Sequence, residues 1–209
     1  MNEIKGDDRM RKARIAVLVS GGGTNLQALI DAQAAEKIVS GEISLVISNN
    51  TNAFALQRAA NANITTEIIT KAQCGSQACF EEKIKDAIRE YKIDLIVLAG
   101  FMSILSENFT KDYPERIINV HPSLIPSFCG KGFYGLRVHE EALAYGVKVT
   151  GATVHFVNEI PDGGRILLQK AVAIEEGDTP EILQKRVMEQ AEWQILPEAV
   201  EMVSKALLN

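Results

Sequence analysis

The apolar run Ile15-Ala16-Val17-Leu18-Val19, entered from Arg14, stops at three consecutive glycines, Gly21, Gly22 and Gly23. A strand with no polar alternation is buried on both faces, which points to the interior of a parallel sheet. The glycines then give way to a helical period that sets Leu26, Leu29 and Ile30 on one face. The same sentence of residues repeats along the chain. Ile43 to Ile47 reads as a second strand, Phe54 to Ala60 as a helix, and Ile64 to Ile69 as a third strand. Cys79 to Tyr91 reads as a charged amphipathic helix, and Ile93 to Leu98 as a fourth strand ending at Ala99-Gly100-Phe101. The order β-α-β-α-β-α-β predicts an α/β fold: a Rossmann-like, mostly parallel sheet flanked by helices, with right-handed crossovers.

The second half changes character. Arg116 to Val120 is a strand, followed by a long loop from Pro122 to Gly135 and a helix from Val138 to Tyr145. Two longer strands, Val147 to Val157 and Ile166 to Ile174, are joined by a turn at Pro161-Asp162-Gly163-Gly164. A last helix runs from about Pro180 to Leu208, with a break expected at Pro197, which lacks an N–H and crowds the preceding turn. No linker or repeat divides the chain, so residues 1–209 read as one domain with 1–12 as a flexible lead-in.

Hydrophobic residues make up 46% of the chain, enough for a sizeable core. The formal charge of -5 argues against nucleic acid as a partner, since phosphate binding favours a basic face. No apolar run approaches the ~18 residues that cross a bilayer. The polar N-terminus has no signal-peptide core. These features predict a cytoplasmic protein with no membrane partner. Cys74, Cys79 and Cys129 are odd in number and read as free thiols. No two His or Cys have metal-ligand spacing, so no metal is expected.

The chemistry sits in Asn119-Val120-His121-Pro122-Ser123-Leu124-Ile125-Pro126 and, some forty residues on, Asp162-Gly163-Gly164. An amide can bind an oxyanion, an imidazole can carry a proton, and a carboxylate can orient the imidazole or relay protons. Together they can move an acyl group. Pro122 holds His121 extended, at a strand end of the kind where open α/β sheets place ligands. Taken alone, Asp162-Gly163-Gly164 is also an ordinary turn. His155 reads either as facing the site or as a packed core residue, and His139 carries no assigned role. Ser20-Gly21-Gly22-Gly23-Thr24-Asn25 lacks the Lys-Ser/Thr pair of a Walker loop and the third glycine of a dinucleotide loop. It reads as a site for one phosphate monoester at a helix start, or as a plain turn with Thr24 as N-cap.

Four segments carry a resemblance over nearly the whole chain: Val19 to Gln27, Val97 to Met102, Asn119 to Pro126, and Gly151 to Val157 leading to Asp162-Gly163-Gly164. The chain resembles the glycinamide ribonucleotide formyltransferases, the folate-dependent enzymes of purine biosynthesis. The resemblance implies a formyltransferase fold and transfer of a formyl group from 10-formyltetrahydrofolate, as co-substrate, to the amine of 5'-phosphoribosylglycinamide. It implies Asn119, His121 and Asp162 as the catalytic trio, and Gly23, Thr24, Asn25 and Glu192 as nucleotide contacts. Met102, Ser103, Ile104 and Leu105, with Asn158, Glu159, Ile160, Pro161 and Asp162, would line the folate site alongside Asn119. Residues 13–100 become the nucleotide-phosphate half and 101–209 the folate-binding and catalytic half, in a monomer or homodimer. In this scheme Asn119 and a protonated His121 stabilise the oxyanion, and Asp162 raises the proton affinity of His121. The chain departs from the pattern at Gln77 and Ser103, where relatives often carry a basic residue. It also departs at Pro161, often aliphatic, and at Trp193, often His. Two other readings stay open: a formyltetrahydrofolate hydrolase of the same fold, and a non-catalytic folate or nucleotide binder. The short lead-in argues against the regulatory domain usual in the hydrolases, and the three intact residues argue against the binder.

Overall fold

The computed structural model describes residues 11–209; the lead-in expected over 1–12 lies, but for its last two residues, outside the described residues. One seven-stranded sheet runs through it in the order β3-β2-β1-β4-β5-β6-β7. Its strands are β1 (Ala13–Val19), β2 (Gly41–Ser48), β3 (Thr65–Ile68), β4 (Leu95–Leu98), β5 (Ile117–His121), β6 (Val149–Phe156) and β7 (Ile166–Ala173). The first five pair in parallel; β6 is antiparallel to both β5 and β7. The mostly parallel sheet expected from the sequence is present.

The helices are α1 (Thr24–Ala34), α2 (Phe54–Asn61), α3 (Lys71–Cys74), α4 (Gln77–Glu90), α5 (Glu107–Lys111), α6 (Leu136–Tyr145), α7 (Pro180–Val187) and α8 (Trp193–Leu207). Alternate residues of β1 serve opposite faces. Ile15, Val17 and Val19 join a core with α1, α7 and α8, while Ala16 and Leu18 join one with α4 and α5. Fully burying such a side chain stabilises the fold by ~1.5–3 kcal/mol, so the unbroken apolar run is a consequence of two covered faces.

Two features differ from the sequence reading. The short helices α3 and α5 went unread, although each has a hydroxyl cap. Thr70 and Gln73 form a reciprocal capping box, and the Ser106 hydroxyl accepts from the Phe109 N–H. The final helix does not break at Pro197, which lies inside α8. The irregularity falls one turn earlier, in a π-helical turn over Met188–Glu192 between α7 and α8. Such a turn accommodates an extra residue without ending the helix.

Strand order reverses between β1 and β4, each parallel neighbour of the other. At such a switch point the loops leaving the strands' C-terminal ends part and open a crevice. Here those loops are the glycines after β1 and the segment 99–105 after β4.

Candidate active site

Asn119 lies on β5 directly opposite His155 on β6, and His121 ends β5 opposite Thr153. That register makes an antiparallel neighbour of a residue thirty-six positions away. The Asn119 Nδ2 is 3.2 Å from His155 Nε2. The other ring nitrogen of His155, Nδ1, lies 2.8 Å from the Phe156 carbonyl and so carries a proton. His155 is 1% exposed; of the two sequence readings, both hold, since it is packed and it touches the site. Sequence could have signalled this only through a strand pairing that no local pattern encodes.

Asp162 brings the third group. It sits at φ 57, left-handed, and the two glycines after it are dictated by crowding. A Cβ on Gly164 would meet the Phe156 carbonyl oxygen at 1.8 Å, and one on Gly163 would meet Ile160 at 2.6 Å. The Asp162 Oδ2 accepts a hydrogen bond from the Gly130 N–H at 2.8 Å and lies 3.5 Å from His121 Nδ1; its Oδ1 lies 3.6 Å from His155 Nε2. The last two separations are too long for direct hydrogen bonds but keep the carboxylate in electrostatic contact with both rings. His121 Nε2 lies 2.9 Å from the Phe128 carbonyl and donates to it.

Electrostatics revise one expectation. Burial pulls the His121 pKa down, and the opposing pull of Asp162 and of the Phe128 carbonyl does not make up for it. The carboxylate thus acts in the anticipated direction, raising the proton affinity of His121, but desolvation outweighs it. For Asp162, burial works to raise the pKa. His155, His121 and the Gly130 N–H outweigh it and hold the carboxyl below its ordinary value.

The trio opens into a cleft of about 610 Å³. Met102, Ser103, Ile104 and Leu105 line one wall, and Asn158, Glu159, Ile160 and Pro161 another, so every residue assigned to the folate site borders it. The 102–106 segment is pinned from behind. Met102 N–H donates to Ser20 Oγ at 2.8 Å, Asn49 Nδ2 to Ser103 Oγ at 2.8 Å, and Gln77 Nε2 to the Ile104 carbonyl at 3.1 Å. Buried Glu81 accepts from the Ser106 N–H at 2.6 Å.

Gly23, Thr24, Asn25 and Glu192 form a separate cluster outside that cleft. Gly23 is the N-cap of α1, at φ 71 with no side-chain cap, and a Cβ there would strike Ala55 at 2.6 Å. Thr24 is thus the first helical residue and not the cap; its hydroxyl faces Met188 Sδ at 3.8 Å. Uncapped first-turn N–H groups favour an anion. Arg58, which the sequence reading passed over, donates to the Gly22 carbonyl at 2.8 Å and adds a positive charge beside this loop. Asn25 Nδ2 donates to Glu192 Oε2 at 2.7 Å, across the π-helical turn. Glu192 is buried with that one neutral partner, and burial lifts its pKa to about 7. A larger groove of about 910 Å³ runs between α1 and α8. It takes in Thr24 and Arg58 but none of the trio, so size alone does not mark the chemistry.

An amide, an imidazole and a carboxylate at the C-terminal edge of a mostly parallel sheet, with the uncapped start of α1 two strands away, are the parts that acyl transfer needs. The chain belongs to the formyl transferase family, whose model matches residues 13–200. It is 39% identical to the crystal structure of glycinamide ribonucleotide transformylase 1 from Symbiobacterium toebii, with a TM-score of 0.87 over 93% of this chain and 89% of that one. It is 43% identical over 209 residues to the trifunctional purine biosynthetic protein adenosine-3 of Gallus gallus, covering all of this chain and 20% of that protein. It is 37% identical to the chloroplastic phosphoribosylglycinamide formyltransferase of Arabidopsis thaliana, over 85% of this chain and 61% of that one. The chain thus spans about a fifth of the trifunctional relative's length and under two thirds of the plant one's.

Proposed function

We infer that the chain transfers a formyl group from 10-formyltetrahydrofolate to the amine of 5'-phosphoribosylglycinamide, giving formylglycinamide ribonucleotide and tetrahydrofolate. The observation that carries the reading is the meeting of Asn119, His121 and Asp162 in a cleft bordered by 102–105 and 158–162. The names of the similar proteins point the same way.

The nucleotide's phosphate is held at Gly23, Thr24 and Asn25 with Arg58 beside them, and Glu192 takes the sugar or glycinamide end. The 13–100 half supplies the phosphate site and the 101–209 half the folate site and chemistry, as parts of one domain. The amine nitrogen attacks the formyl carbon, a C–N bond forms, and charge moves to the formyl oxygen. The Asn119 amide donates to that oxygen; loss of one such donor costs about 3–4 kcal/mol in other acyl-transfer sites. The proton leaving the amine passes to His121 Nδ1, free to accept because Nε2 is tied to Phe128. The resulting imidazolium lies between the Asp162 carboxylate and that carbonyl, which stabilise it. The proton then goes to the departing folate nitrogen as its C–N bond breaks. No step needs a metal or a covalent enzyme intermediate. The setting is cytoplasmic, as monomer or homodimer; no helix among the described residues is long and apolar enough to cross a membrane.

The test is a steady-state assay with both substrates beside a control lacking the nucleotide. Tetrahydrofolate forming only with the nucleotide supports the transferase. Equal formation without it makes the chain a hydrolase.

A further inference from the structure

The cleft has an uneven charge. Apart from histidines, its lining carries two carboxyl groups, Glu159 and Asp162, and one cation, Lys131. The other basic residues near it are already engaged. Arg137 pairs with Glu141 at 3.7 Å, Lys111 with Glu107 at 2.5 Å, and Lys71 lies over the Phe80 ring at 5.6 Å. Ser103, which lines the cleft, and Gln77, which braces the Ile104 carbonyl, are neutral and spent on internal hydrogen bonds. Lys131 has no ion-pair partner among the described residues and is exposed. It stands between Gly130 and Gly132, both at positive φ, in the loop whose Gly130 N–H is anchored on Asp162. Around it the rim is apolar: Met102, Ile104, Tyr134 and Ile160 are each more than half exposed.

We propose that Lys131 holds the carboxylate tail of the formyl donor and is a specificity-determining residue for it. The inference rests on the folate reading given above. The exposed apolar rim suits the flat rings of a folate, and the trio fixes where its formyl carbon must lie. A carboxylated tail leaving that cleft away from the trio passes Glu159, which repels it, and among the described lining residues Lys131 is the one Lys or Arg that can neutralise it. The glycines on either side let the ammonium follow the tail while Gly130 stays pinned.

The test compares Lys131→Gln and Lys131→Arg with the unaltered protein, using 10-formyltetrahydrofolate and the same donor lacking its glutamate, 10-formyltetrahydropteroate. An exposed ion pair predicts that K131Q raises the KM for the folate donor about fivefold. The kcat and the nucleotide KM stay within twofold, and K131R restores the folate KM. With the pteroate donor, K131Q and the unaltered protein have the same KM. A rise in the nucleotide KM instead would assign Lys131 to the phosphate and overturn the proposal. So would an equal KM rise with both donors, or no change with either. If the unaltered protein turns over neither donor, the parent reading fails and takes this one with it, a result distinct from normal turnover with an indifferent Lys131.

Discussion

Asp162 and Glu192 are carboxyl groups at the same edge of the sheet, and their surroundings push them in opposite directions. Asp162 has two imidazoles and a backbone N–H around it and is held below its ordinary pKa. Glu192 is buried with a single neutral amide, and burial lifts it to about 7. Burial works against the charge at both. What differs is how many groups answer it: two histidines and the Gly130 N–H at Asp162, one amide at Glu192. The Asp162 end therefore keeps a negative charge beside the His121 imidazole. The Glu192 end keeps a carboxyl that can be neutral, so it can sit buried near the uncapped start of α1 without opposing an anion there.

The comparison breaks most visibly at Asp162. Asp162→Asn keeps the shape and removes the charge, and should lower kcat by about a thousandfold, within the range of general acid–base groups. A loss under tenfold, measured by steady-state assay, would mean the carboxylate is not part of proton movement.

At Glu192 the expected effect is on stability. The folded carboxyl takes a proton at about 7 and the unfolded one near 4.5. Stability from this group is fully present below 4.5 and is lost as pH rises through 7, an effect on the order of 3 kcal/mol. Glu192→Gln should erase that slope in urea denaturation at pH 5 and pH 9, gaining relative stability only at the higher pH. His139 gives the mirror image. Buried on α6 with neither ring nitrogen paired, its pKa is pulled to about 4 by burial and then by His121. Stability is present above 6.5 and lost as pH falls through 4, and acid unfolding of His139→Leu should be shallower. An unchanged acid limb in that variant would show that other groups carry it.

The smallest expected effect is at His155. Since it bears on both Asn119 and Asp162, His155→Ala should lower kcat about tenfold while leaving the nucleotide KM alone. A shift in KM without kcat would place it outside the chemistry.

Much of this was readable from the chain because the signal was local. The first strand is a continuous apolar run with two faces to bury, and Asn119, His121 and Asp162 lie in motifs whose turns need their proline and glycines. What escaped was set by distant partners. The role of His155 depends on β5 pairing with β6 in one register. The depressed His121 depends on how deeply the loop from Pro122 buries it. The π-helical turn at Met188–Glu192 has no propensity signal, whereas Pro197 has a strong one and misled. The short helix α3 was missed despite a legible Thr70-x-x-Gln73 box.

The most direct test of the account follows the formyl carbon itself. A donor carrying carbon-13 in the formyl group is mixed with the nucleotide and the protein, and the label is traced by NMR. The account predicts that it appears as a formamide on the nucleotide amine. Label released as free formate, or left on the folate, would contradict it.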